Sequence, residues 1–227
     1  MAGLRTKTVA LIVAHPDDET LWAGGTILSN PAWRCFVVCL CRGSDKERAS
    51  RFYQALTMLH AAGAMGDLDD GPEQTPLNEY IVQQVILDLL PSKPFDLIIS
   101  HDPGGEYTRH RRHEETGKAV IQLWHNGKIG TNELWTFAYE DNNRQHYPKP
   151  VEKATFYHIL KKRIWRIKYR LITNTYGFMK SSWEAQTTPR SEAFWQFSNS
   201  ADAIKWLDKY TAETLCRLTE SKKKSIQ

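Results

Sequence analysis

The sequence predicts an α/β fold: a mostly parallel sheet flanked by helices, followed by a mixed C-terminal extension. Two observations carry this. "TVALIVA" (8–14), "RCFVVCLCR" (34–42) and "FDLIIS" (95–100) are short continuous apolar runs, the pattern of strands covered on both faces. Between them lie segments whose apolar residues recur at helical spacing. The order strand, helix, strand, helix, helix, strand describes right-handed crossovers in a parallel sheet. At 227 residues, 41% hydrophobic and 25% charged, the chain has the size and composition of one domain with a substantial core. We assign that core to residues 1–140 and the extension packed on it to 141–227.

Each element has its own justification. Residues 18–29 carry Leu21, Trp22, Gly25 and Leu28, which suits a helix stopping at Asn30-Pro31. In "DKERASRFYQALTMLHAAG" (45–63), Phe52, Leu56, Leu59 and Ala62 keep helical spacing and Gly63 reads as the stop. The turn-rich "GDLDDGPEQTP" precedes a helix bearing Ile81, Val85, Ile86, Leu89 and Leu90. Further on, "HEETGKAVIQLWHNG" (113–127) is a helix, "ELWTFAYE" (133–140) an alternating strand and "DNNRQHYPKP" a loop. "KKRIWRIKYRLI" (161–172) fits either period, and its length favours a helix whose six basic residues form a solvated face. The aromatic- and hydroxyl-rich segment 173–197 could line a sugar cleft, form a lid or join two copies of the chain. Residues 200–221 make an amphipathic helix, and "KKKSIQ" is a frayed tail.

Composition narrows the function. A formal net charge of +4 is too small to argue for nucleic acid. No window has the uninterrupted apolar length of a membrane span, and the N-terminus has no small-residue cleavage site, so a cytoplasmic protein is expected. Three of the four cysteines, Cys35, Cys39 and Cys41, alternate along one predicted strand, which would place them on one face. With Cys216 they form no C-x-x-C pair, so they read as small core hydrophobes rather than a metal or redox cluster.

The chemistry concentrates in "AHPDDE" (14–19), at the carboxyl end of the first strand, where ligands of open parallel sheets sit. Helix capping explains one or two of the acids. It explains neither His15 nor three carboxylates, Asp17, Asp18 and Glu19, crowded together. A divalent cation answers both: an imidazole and a carboxylate three residues apart can reach one ion, with Pro16 stiffening the turn. A further ligand must come from elsewhere, and "SHDPGGEYTRHRRHEETG" supplies His101, His110 and His113 at the mouth of the same sheet.

AHPDDE behind a strand, with H-x-x-H far downstream, resembles the PIG-L/LmbE family of zinc-dependent N-deacetylases, which includes deacetylases of N-acetylglucosamine conjugates. The resemblance covers the first strand and helix, an R-x-x-E-like position at Arg51 to Gln54, and His110 to His113. It implies a Rossmann-like fold and one Zn2+ per chain held by His15, Asp18 and His113. It implies Asp17 as general base and His110 as oxyanion stabiliser or proton donor to the leaving amine. Arg51 would sit near the substrate, and Tyr107 is a further candidate for the oxyanion. Two positions depart from the pattern. Arg112 stands where the family commonly has the acid that orients the first histidine, so that either Glu106, Glu114 or another acid takes that role or His110 has a different pKa and a weakened part, and Gln54 stands where an acid is usual. The implied reaction is removal of an N-acetyl or other N-acyl group from an amino sugar or its conjugate. Hydrolysis of another amide or thiol conjugate is the rival among enzymes. A metal-free binding relative and a nucleotide-binding module are rivals of another class; no G-x-G-x-x-G follows a strand.

Overall fold

The computed structural model describes residues 6–107 and 110–210. Seven strands form one sheet in the order β3-β2-β1-β4-β5-β9-β8. They are β1 (Thr8–Val13), β2 (Arg34–Cys41), β3 (Ala61–Leu68), β4 (Leu97–Ser100), β5 (Leu134–Phe137), β8 (Phe156–Ile159) and β9 (Ser191–Phe197). A separate hairpin pairs β6 (Tyr139–Glu140) with β7 (Lys149–Pro150). The first five sheet strands run parallel, while β9 is antiparallel to β5 and β8 antiparallel to β9.

The helices are α1 (Asp18–Ser29), α2 (Lys46–Met58), α3 (Glu79–Leu89), α4 (Arg111–His125), α5 (Lys162–Arg170) and α6 (Trp183–Thr187). Residues 171–175 continue α5 as a π-helical turn, and 200–210 are helical. Val9 to Val13 are wholly buried, as a strand covered on both faces requires. One core cluster joins that strand to Trp22, Phe52, Leu56 and Phe194, and the other joins it to Val82, Ile86, Val120 and Leu207. Among the described residues, no helix is long and apolar enough to cross a membrane. The frayed tail, Cys216 and the end of the last helix lie outside the described residues.

Four expectations change. The second helix does not run to Gly63: α2 ends at Met58, and β3 begins at Ala61. "AAGAMGDL" lacks the β-branched and aromatic residues that mark a strand, so the helical spacing of apolar residues runs on into it. Gly63 lies inside that strand, where a Cβ would come 2.4 Å from the Val37 carbonyl oxygen. Cys41 does not share a face with Cys35 and Cys39; the register shifts between Cys39 and Cys41, and Cys41 packs with Val38 and Leu40 in the opposite core. The basic face of α5 is not wholly solvated. Lys168 is buried and its Nζ meets Glu192 at 2.6 Å. Finally, the strand expected over 133–140 is broken: β5 ends at Phe137, and Tyr139–Glu140 pair with Lys149–Pro150, inside the expected loop.

The sheet positions the site. Crossovers run outward from β1 in one direction, to β2 and β3, and from β4 in the other, to β5. Neighbouring strand ends therefore diverge between β1 and β4, and a crevice opens at their carboxyl ends.

Candidate metal and active site

The crevice gathers residues far apart in sequence. His15, Asp17 and Asp18 follow β1, His101 follows β4, and His110 and His113 open α4. His15 Nδ1, Asp18 Oδ2 and His113 Nε2 form a nearly equilateral triangle. Its edges are 3.2 Å (His15 to Asp18), 3.1 Å (His15 to His113) and 3.3 Å (His113 to Asp18).

Each corner is oriented from behind. Asp70 Oδ1 lies 3.2 Å from His15 Nε2. Glu106 Oε2 lies 2.5 Å from His113 Nδ1. The Trp22 indole donates to Asp18 Oδ1 at 2.9 Å. Such contacts set which ring nitrogen keeps its lone pair and which way it faces. Burial opposes the Glu106 charge, but the imidazoles of His101 and His113 outweigh it and hold its pKa at about 2. Burial likewise opposes charge on Asp70, and the hydrogen bond and charge of His15, with Gln74 and Arg42, hold it below the usual carboxylate range.

His101 stacks on His113 with ring centroids 3.9 Å apart, and its Nε2 lies 3.4 Å from Asp18. That nitrogen accepts the Ala14 backbone N–H at 3.0 Å, and its Nδ1 faces Glu106 at 2.9 Å. Its lone pair is therefore already engaged, although Asp18, His101 and His113 lie close enough to form a second ligand trio.

His110 differs from the other three. Its ring is 4.6 Å from that of His15 and 4.3 Å from that of His113, and its buried Nδ1 has no hydrogen-bond partner among the described residues. Burial, with the charges of His113 and His15, lowers its pKa to about 3. Glu106 thus serves His101 and His113, not His110.

Asp17 is where helix capping fails as an explanation. It occupies the N-cap of α1, yet its side chain caps nothing, and its φ of 118° is one an L residue rarely adopts. Glu19 instead accepts the Asp17 N–H at 3.1 Å and the Tyr176 hydroxyl at 2.7 Å. The Asp17 carboxylate faces a cavity of about 280 Å³ lined also by His15, Asp18, Arg48, Tyr107 and Trp183. Burial and the adjacent Asp18 charge push its pKa well up, against the pull of Arg48 at 3.8 Å.

Arg51, placed near the substrate by the sequence pattern, does not line this cavity; its guanidinium binds the Tyr176 carbonyl and Glu47 instead. Arg48, one turn earlier on α2, takes the cavity position. Tyr107 lines both this cavity and an adjoining one of about 1040 Å³. Segment 173–197 supplies a wall of the larger space through Trp183 and residues 186–190, and Arg144 and Tyr147 stand on another side.

A family model described as PIG-L, GlcNAc-PI de-N-acetylase, matches residues 10–124, half of the chain and all three corners of the triangle. The chain belongs to the PIG-L family. It is also 24% identical over 178 residues to an uncharacterized protein of Acanthamoeba polyphaga mimivirus, covering 71% of this chain and 75% of that one. Among solved structures it resembles the N,N'-diacetylchitobiose deacetylase of Pyrococcus horikoshii, with TM-score 0.64 and 16% identity over 85% of this chain and 84% of that chain. It resembles the 4-carboxy-2-hydroxymuconate hydratase of Pseudomonas putida at TM-score 0.55 and 16% identity, over 84% of this chain and 95% of the other. At these identities the likeness is one of fold. It extends past residue 124, where the PIG-L match ends, and agrees with the mostly parallel sheet flanked by helices.

Proposed function

We propose that the chain is a zinc-dependent N-deacetylase that removes an acetyl or related acyl group from an amino sugar or its conjugate. One observation carries this: the triangle of His15, Asp18 and His113. Zinc bonds of roughly 2.0–2.2 Å in tetrahedral geometry put ligand atoms roughly 3.3–3.6 Å apart. The triangle's edges of 3.1–3.3 Å fall within a few tenths of that. Two imidazoles and a carboxylate suit Zn2+, and both imidazoles have the carboxylate behind them that bound histidines need. Three protein ligands leave a fourth position open, as a catalytic site requires.

Zinc, when bound there, supplies a Lewis acid and brings water's pKa to around 7. The remaining work belongs to side chains. Asp17 takes the proton of the attacking water; its raised pKa suits a group that must accept a proton and then give it up. Arg48 steadies that carboxylate from α2. His110, held neutral, donates an N–H hydrogen bond to the developing oxyanion. Tyr107 and Trp183, whose rings lie 4.8 Å apart, flank the approach. The larger cavity behind them takes the sugar and whatever is joined to it. Reduced, buried Cys35, Cys39 and Cys41 suit a cytoplasmic location.

The fold alone does not choose the reaction, because a hydratase shares it. The test is therefore chemical. The purified protein is assayed for zinc content and screened for primary-amine release from N-acetylated sugars and sugar conjugates. One zinc per chain with amine release supports the proposal; a zinc-free protein that releases no amine refutes it.

A further inference from the structure

We propose that Asp70 is a positioning residue that fixes the tautomer of His15, and that Arg42 and Arg112 exist to hold it there. The inference rests on the metal site proposed above. To offer Nδ1 to a cation, neutral His15 must carry its proton on Nε2. Asp70 Oδ1 stands 3.2 Å from that nitrogen and is the acceptor that would keep the proton there.

Asp70 reaches His15 from a distance. It lies in the connection after β3, the edge strand of the sheet, whereas His15 follows β1. Two arginines span that gap. Arg42, at the end of β2, binds Asp70 Oδ2 through Nε at 2.9 Å and through its terminal nitrogen at 2.7 Å. Its φ of 69° lies in the left-handed region, a conformation that non-glycine residues rarely adopt. Arg112 is 1% exposed and grips both ends of the connection. Its Nε donates to the Asp69 carbonyl at 2.6 Å and a terminal nitrogen donates to the Thr75 carbonyl at 2.9 Å. Its other terminal nitrogen meets Glu115 at 2.6 Å, which fixes the guanidinium against its own helix.

Arg112 precedes His113 directly, so one helical turn holds both a corner of the triangle and the anchor of the loop that orients another corner. At position 112, where the family pattern has an acid beside His110, this chain instead carries a cation that anchors the loop bearing the acid behind His15.

The test measures Zn2+ affinity by competition with a chelating dye, and His15 ring nitrogens by 15N NMR in the metal-free protein. Asp70→Ala is expected to bind zinc about 10- to 100-fold more weakly, with the His15 proton shared between both nitrogens. Asp70→Asn, which keeps an acceptor oxygen, is expected to recover part of the affinity and the tautomer. Arg42→Gln, on a partly exposed side chain, should weaken zinc in the same direction and by less. Arg112 is buried, so Arg112→Gln is paired with a thermal melt to separate loop release from unfolding. If the unaltered protein binds zinc and both Asp70→Ala and Arg42→Gln match it, the inference fails and the proposed function stands. Loss of zinc only in step with a collapsed metal-free melting temperature, with no rescue by Asp70→Asn, makes the role structural and overturns it. An unaltered protein that binds no zinc ends the metal site, and this inference with it.

Discussion

Gly117→Ala tests whether the packing of α4 against β4 sets the geometry of the site. Gly117 is buried on α4, and a Cβ added there would lie 2.5 Å from the His101 carbonyl oxygen, 2.9 Å from the Asp102 carbonyl carbon and 3.0 Å from that of His101. All three are backbone atoms, so no side chain can rotate aside. Reaching the 3.4 Å at which ordinary contact begins requires α4 to retreat by about 0.9 Å at this point. His113 lies four residues earlier, one turn away on the same face, and retreats with it. Metal sites tolerate errors of about 0.2 Å in ligand distance, so the triangle opens well beyond tolerance. Overpacking costs about 1–3 kcal/mol, offset by about 1 kcal/mol from replacing a helical glycine. The metal-free protein should therefore melt no more than about 8 °C lower, at about 2–4 °C per kcal/mol. Zinc affinity should fall at least tenfold. Dye competition and thermal melts read the two effects separately. Gly24→Ala is the control: its Cβ meets Thr20 at 3.5 Å, so it should leave zinc untouched and stability equal or higher. Equal zinc affinity in Gly117→Ala and the parent would refute the idea that this backbone contact places His113.

Three further outcomes follow from the same geometry. Asp17→Asn should keep zinc and lose about 10²- to 10⁴-fold in turnover, because an amide cannot accept a proton; turnover at the parental rate would remove Asp17 from the base role. Lys168→Met should cost about 3–5 kcal/mol in urea unfolding. Among the described residues it leaves the buried Glu192 carboxylate with only the neutral donors Gly25 N, Thr26 N and the Thr26 hydroxyl. A loss below 1 kcal/mol would show that the ion pair is not needed. Burial raises the pKa of Cys35 and Cys41 to about 12, so at pH 8 both are almost entirely thiols and should resist iodoacetamide until the protein unfolds. Labelling of either in the native protein at the rate of a free thiol would contradict that burial.

The residues of the candidate site stood out in the sequence more clearly than some of the strands around them. Asp17 and Asp18 stand beside His15 in the chain, and the apolar run before them located the strand end. His113 was accessible as a histidine at the start of a strongly periodic helix. The supporting residues were not, because their roles exist only across the sheet. Asp70 lies 55 residues from His15, in a stretch that reads as an ordinary acidic turn. Arg48 and Arg51 both sit on α2 one turn apart, and the choice between them depends on where Tyr176 and Gly177 come to lie. The Tyr176 carbonyl claims Arg51, leaving Arg48 for the cavity. Strand β3 was missed because its small residues carry no strand signal, and β9 because its aromatic residues read equally well as a binding surface.

The division between the two halves bears on which substrate the site accepts. The family match ends at residue 124, and every residue proposed to act on the acyl group, from His15 to His113, lies inside it. The residues around the larger cavity mostly lie outside it: Arg144, Tyr147, Lys149, Trp183 and Arg190. They come from the β6–β7 hairpin and from the segment that leads through α6 into β9. Those elements form no part of the parallel core. The description of the family as de-N-acetylases of one glycolipid therefore bears on the reaction centre and not on the wall against which the rest of the substrate lies. Exchanging residues 141–150 or 183–190 should accordingly change which conjugate is hydrolysed while leaving zinc affinity intact, because neither segment contains a corner of the triangle or the acids behind it.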